Sequence, residues 1–159
     1  MSRLVTTIMI RSSTDHVWDH LSDLASHAEW MSDAESIVFT SKLNRGLGTT
    51  FDCVTKVGPI RTTDHMEITE WEEGRAIGVH HRGTVTGTGR FELRPINDDH
   101  VELVWGEQLE FPAWTVPRVT SPITSAVLRF IWNRNLTAFK NRVEADQTPL
   151  DNTATVKEQ

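Results

Sequence analysis

The stretch Val101-Glu102-Leu103-Val104-Trp105-Gly106-Glu107-Gln108-Leu109-Glu110-Phe111 decides the fold. Val101, Leu103, Trp105, Glu107, Leu109 and Phe111 share one parity, while Glu102, Gln108 and Glu110 share the other. Alternation of this kind specifies a strand with one buried and one wet face. Upstream the pattern repeats in Phe91 and Leu93 (against Arg90, Glu92 and Arg94), in Ile77, Val79 and His81, and in Phe51, Cys53 and Thr55. Turn residues punctuate these runs at Arg45-Gly46-Leu47-Gly48, Val57-Gly58-Pro59, Glu73-Gly74, Arg82-Gly83 and Asn97-Asp98-Asp99. Strands wet on one side and joined by short turns make an antiparallel sheet.

The flanks are different. Residues 4–10 read as a first strand, rich in β-branched side chains. Ser13-Thr14-Asp15 offers N-cap oxygens ahead of Val17, Trp18 and Leu21, which share a helical face. A second helical turn is expected over residues 24–28, closed by Trp30. Pro112, Pro117 and Pro122 hold residues 112–120 out of regular structure. Ser121 then caps a helix with Pro122 at its first position, and Leu128, Ile131, Trp132, Leu136, Phe139 and Val143 follow helical spacing for about six turns. The expected class is α+β: a curved antiparallel sheet of six to seven strands wrapped around a long C-terminal helix, with two short helices after strand 1. Residues 1–145 are expected to form one domain, and the polar residues 146–159 a flexible tail.

Composition narrows the partners. A net charge of −6 argues against a nucleic-acid or anionic-membrane surface. No apolar run is long enough to span a bilayer. The single cysteine, Cys53, excludes an intramolecular disulfide framework and a multi-cysteine zinc site, and the expected compartment is the cytoplasm. Gly83-Thr84-Val85-Thr86-Gly87-Thr88-Gly89 lacks the ending and the following helix of a phosphate loop. His16, His20, Asp23 and His27 would fall on one stripe of an unbroken helix, but that stripe lies on a solvated face, so no metal and no cofactor are expected.

One helix, roughly 10 Å across, is too thin to fill the concave side of a curling sheet. Large side chains must complete the filling or leave a cavity. Gly87 and Gly89 share parity with Phe91 and Leu93, so the inner face carries no side chain there. Room for a ligand is expected at that place, unless another element such as Trp114 packs into it.

The order of these elements resembles the START-related SRPBCC superfamily (helix-grip fold), and within it the polyketide cyclase/dehydrase-like branch. The resemblance rests on residues 14–23 followed by Trp30, on Arg45-Gly46-Leu47-Gly48-Thr49, on residues 67–75, and on residues 135–144. Each of these motifs is weak alone; their order is the specific part. What it implies is a deep, mostly apolar cavity for a lipid, polyketide or similar hydrophobic molecule, with no single reaction attached.

The residues expected to line such a cavity are Phe51, Cys53, Val79, His81, Phe91, Leu103, Trp105, Glu107, Trp114, Leu128, Trp132, Asn135 and Phe139. Glu107 and His81 are the candidate acid and base, because both have inward parity. Glu107 could instead sit at an open strand end or pair with an arginine, and His81 could be satisfied by backbone. Asn135, on the apolar stripe of the last helix, needs a partner: ligand, water or Glu107. Two readings stay open. One is a binder of a hydrophobic small molecule; the other is a cyclase, dehydratase or hydrolase using the same residues. The absence of tyrosine counts against the aromatising chemistry of some relatives. A monomer or homodimer is expected, and Trp114 on its proline-rich loop is the candidate contact in a third, assembly role.

Overall fold

The deciding stretch forms a strand at His100–Glu110, and six further strands build outward from it in a seven-stranded antiparallel sheet. The computed structural model describes residues 2–112, 114 and 122–147. In chain order the elements are β1 (Ser2–Arg11), α1 (Thr14–Ser22), a 3-10 turn (Leu24–Ser26), α2 (His27–Trp30), β2 (Ala34–Phe39), β3 (Thr50–Val57), β4 (Ile60–Glu72), β5 (Ala76–Gly83), β6 (Thr86–Asn97), β7 (His100–Glu110) and α3 (Pro122–Asp146). The strand order is β1-β7-β6-β5-β4-β3-β2, so every neighbour except the β1–β7 pair is a sequential hairpin. Register shifts at Ala34/Ser36, Ile68/Glu70 and Pro95/Asn97 bend their strands and help the sheet curl around α3.

The parity read from the sequence survives these bulges. Phe91 faces Trp105 across the β6–β7 ladder, and Gly89 faces Glu107. Ser13 caps α1, its hydroxyl accepting from the His16 amide at 3.3 Å, and α1 ends at Ser22. On α3, Trp132, Leu136, Phe139 and Val143 are buried, as the helical spacing requires. The helix runs to Asp146, one residue into the expected tail, and the Gln147 side chain donates to the Arg11 carbonyl. The cap Ser121, residues 115–120 and the tail from residue 148 lie outside the described residues.

The core divides the hollow of the sheet. At one end α1, α2 and the C-terminal half of α3 cover Ile10, Leu93, Val101 and Leu103, all fully buried. Trp30 is the plug. Its ring lies 4.9 Å from Phe139, 6.2 Å from Phe91 and 6.5 Å from Trp105. The short helices therefore fill half of the space that one long helix leaves. The other half, toward Glu107, Leu109 and the start of α3, stays open.

Candidate functional site

That open half is a cavity with about 990 Å³ of atom-free space, part of it continuous with solvent; the centre of a water molecule can reach about 150 Å³ of it. A volume of this order admits a small organic molecule. Its floor is the inner face of β3 to β7, its roof is Leu128 and Trp132 of α3, and its far wall is Leu24, His27 and Met31. Phe91, Trp105 and Trp132 form a continuous aromatic wall, with centroids 5.0 Å apart for the first pair and 5.3 Å for the second. The surface is mostly apolar, and among the described residues its polar side chains are few: His27, Asp33, Thr55, Asp64, His81 and Glu107.

Strand geometry fixes the pair expected to carry chemistry. Glu107 and Trp105 are two residues apart on β7, so they share a face, and the indole Nε1 donates to Glu107 Oε1 at 2.7 Å. Gly89 lies directly opposite on β6 and leaves the room this carboxyl occupies: a Cβ there would stand 2.5 Å from Oε1. The empty patch expected over Gly89 is thus filled by Glu107 itself. Its second oxygen, Oε2, stands 3.4 Å from His81 Nε2. Both residues are buried, with 6% of Glu107 and 8% of His81 exposed. Neither atom has a hydrogen-bond partner among the described residues. Glu107 is therefore neither at an open strand end nor paired with an arginine. A carboxyl and an imidazole at this spacing can grip the polar end of a ligand, or hand a proton to it and take one back.

The other polar groups of the wall are occupied. Asp64 accepts from the Val85 amide at 3.0 Å and from the Thr62 hydroxyl at 3.2 Å. Asp33 accepts from Asn135 Nδ2 at 2.7 Å. His27 Nε2 donates to the Leu21 carbonyl at 2.7 Å, and burial lowers its pKa from the ordinary 6.5 to about 4, keeping the ring neutral. Burial pushes the Cys53 thiol up to about 11, the reverse of what a nucleophile needs.

Of the thirteen expected lining residues, nine are in the wall: Phe51, Cys53, Val79, His81, Phe91, Trp105, Glu107, Leu128 and Trp132. Four are not. Leu103 and Phe139 have the right parity but lie at the filled end, under α1, α2 and Trp30. Asn135 is fully buried with other partners: its Oδ1 accepts from the Ser32 amide and hydroxyl, each at 2.9 Å, which ties α3 to the loop before β2. Trp114 is 79% exposed and stands outside the wall. Wall residues absent from the expected set include Met31, Ile37, Asp64, Met66, Ile68 and Val85. Asp64, Met66 and Ile68 share the inward parity of β4, but the polar Thr62 and Asp64 on that face blur the alternation. His27 was placed on a solvated helix face. Helix α1 ends at Ser22, the 3-10 turn follows, and α2 starts at His27, which turns the ring inward.

With His27 gone from that stripe, the group that could share an ion among the described residues is His16, His20 and Asp146. It lies at the outer end of α1, away from the cavity. His20 Nε2 already sits 3.0 Å from Asp146 Oδ2, and His16 Nε2 lies 3.2 Å from the Val143 carbonyl.

No described helix is long and apolar enough to cross a membrane. Solved structures share the fold at low identity. The Zhui aromatase/cyclase from Streptomyces sp. R1128 superimposes with a TM-score of 0.76 at 15% identity, over 93% of this chain and 96% of its own. A START superfamily protein from Mycobacterium smegmatis gives 0.73 at 14%, over 91% and 99%. A norcoclaurine synthase mutant from Thalictrum flavum, held with a transition-state analogue, gives 0.69 at 16%, over 92% and 96%. No curated protein sequence matches significantly. The model of one family, described as polyketide cyclase/dehydrase and lipid transport, matches residues 1–144. The curled sheet, the gripping helix and the residues of that match together establish that the chain belongs to the polyketide cyclase/dehydrase and lipid transport family.

Proposed function

We propose that the protein binds a hydrophobic small molecule of the lipid or polyketide kind between the sheet and α3, with its polar end at His81 and Glu107. The observation that carries this reading is the pairing of an apolar cavity with two buried polar atoms, 3.4 Å apart, that have no hydrogen-bond partner among the described residues. Such atoms are costly to leave unpaired, so a site that keeps them is built for a guest that pairs them. The family and the aromatase/cyclase neighbour agree with a ligand cavity and leave the guest unnamed. A second reading, acid–base catalysis on the same guest, is favoured by the 3.4 Å spacing of imidazole and carboxyl. It ranks below binding because the described residues of the wall hold no activated nucleophile and the chain no tyrosine.

Native mass spectrometry tests the binding reading. The protein as purified, or after incubation with an organic extract of its host cells, is expected to carry an added mass of a few hundred daltons (about ten to thirty heavy atoms). The bare chain mass under both conditions would overturn it.

A further inference from the structure

We infer that the polar end of the guest is a neutral hydroxyl (an alcohol, phenol or enol) and that the site rejects the corresponding carboxylate; this rests on the binding reading above. Glu107 Oε1 already accepts from the Trp105 indole, and Oε2 is the carboxyl oxygen with no hydrogen-bond partner among the described residues. His81 Nε2 stands 3.4 Å away. An oxygen about 2.8 Å from each atom, the ordinary length of a hydrogen bond, closes a triangle on that base once the two side chains, enclosed in the unliganded site, turn to admit it. The two atoms ask different things of it. A carboxylate oxygen accepts, while an imidazole nitrogen donates or accepts according to its tautomer. A hydroxyl has one hydrogen to give and lone pairs to receive, so it satisfies both atoms in either arrangement.

Charge points the same way. Three carboxyl side chains, Asp33, Asp64 and Glu107, stand in the wall, and among the described residues no lysine or arginine does. An anionic head would enter an apolar hollow beside the Glu107 carboxyl, with no described lysine or arginine to meet it. A cationic head would meet acceptors, but it must shed its own hydration into a wall that is largely hydrocarbon and aromatic. The neutral group avoids both costs. Gly89 makes the arrangement possible, since any larger residue would drive the Glu107 carboxyl off its seat on β6.

Isothermal titration calorimetry of the whole chain with four probes on one skeleton tests this: 4-tert-butylphenol, 4-tert-butylbenzoate, 4-tert-butylbenzylamine and tert-butylbenzene. The phenol is expected to bind at least about tenfold tighter than each of the others. In Glu107→Gln, which keeps the shape and supplies an amide donor, the phenol-to-benzoate ratio is expected to fall to about threefold or less. The wild-type comparison stands by itself if the variant misfolds. Benzoate or benzylamine binding as tightly as the phenol would overturn the inference while leaving the cavity reading intact. If all four bind alike, the head-group inference fails alone. If none binds, the cavity reading fails with it.

Discussion

Replacing Phe139 by alanine is expected to lower stability by about 4 kcal/mol, in the middle of the range for removing a buried phenylalanine. The side chain is fully buried and packs on Trp30 at 4.9 Å, where α3 meets α2 over the sheet. Removing it deletes the ring's transfer free energy and leaves a void that Trp30, held also against Phe91 and Trp105, cannot close. In a chain of this size the loss corresponds to a drop in melting temperature of roughly 10 °C. Urea denaturation with matched slopes is the measurement. A loss below about 1.5 kcal/mol would mean that α3 is not seated as described. This variant also separates two roles. A residue that only touched a ligand would lose affinity and keep stability, whereas Phe139 belongs to the half of the hollow that protein fills.

Acid is expected to remove about 3 kcal/mol of stability through one side chain, His27. Its imidazole is buried, donates to the Leu21 carbonyl, and titrates near 4 instead of 6.5. Above pH 6.5 the ring is neutral in both folded and unfolded chains, so it contributes no pH dependence. Between 6.5 and 4 the unfolded ring takes a proton that the folded one refuses, and stability falls as pH falls. Below 4 both are protonated and the loss is complete. The carboxylates of Glu70, held down by Arg90, and of Glu92, held down by Arg94 and then Arg90, lie below the usual carboxylate value. Their stabilisation is present above the usual carboxylate range and is lost as pH falls through it and below, so the window from 6.5 to 5 is clear of both. From pH 7 to pH 5 the wild-type chain is expected to lose about 2 kcal/mol more than His27→Gln, which keeps an N–H for Leu21. Parallel curves for the two proteins would contradict the burial of this ring.

Strand parity carried most of what the sequence could say about the site. Trp105, Glu107, Phe91, Val79 and His81 all face the hollow because the period of two is rigid, and no bulge falls between them. The breadth of the cavity was less legible. Parity decides which face a residue occupies and says nothing about what covers that face. Leu103 and Glu107 share one side of β7, yet one is sealed under helices and the other looks into open space. That difference depends on where α2 sits, and α2 is a four-residue helix placed by the break at Ser22 and the Trp30 plug. Asn135 shows the same limit from the helical side. Its place on the apolar stripe was readable; its partners, 102 and 103 residues away at Asp33 and Ser32, were not. Gly89 was read as an absence, and the space it leaves belongs to the carboxyl opposite.

The most direct test is a crystal structure of the protein soaked with 4-tert-butylphenol. Density for the ring is expected between Phe91, Trp105 and Trp132, with its oxygen about 2.8 Å from both His81 Nε2 and Glu107 Oε2. A hollow closed by the protein's own side chains, or a phenol seated anywhere else, would contradict the account.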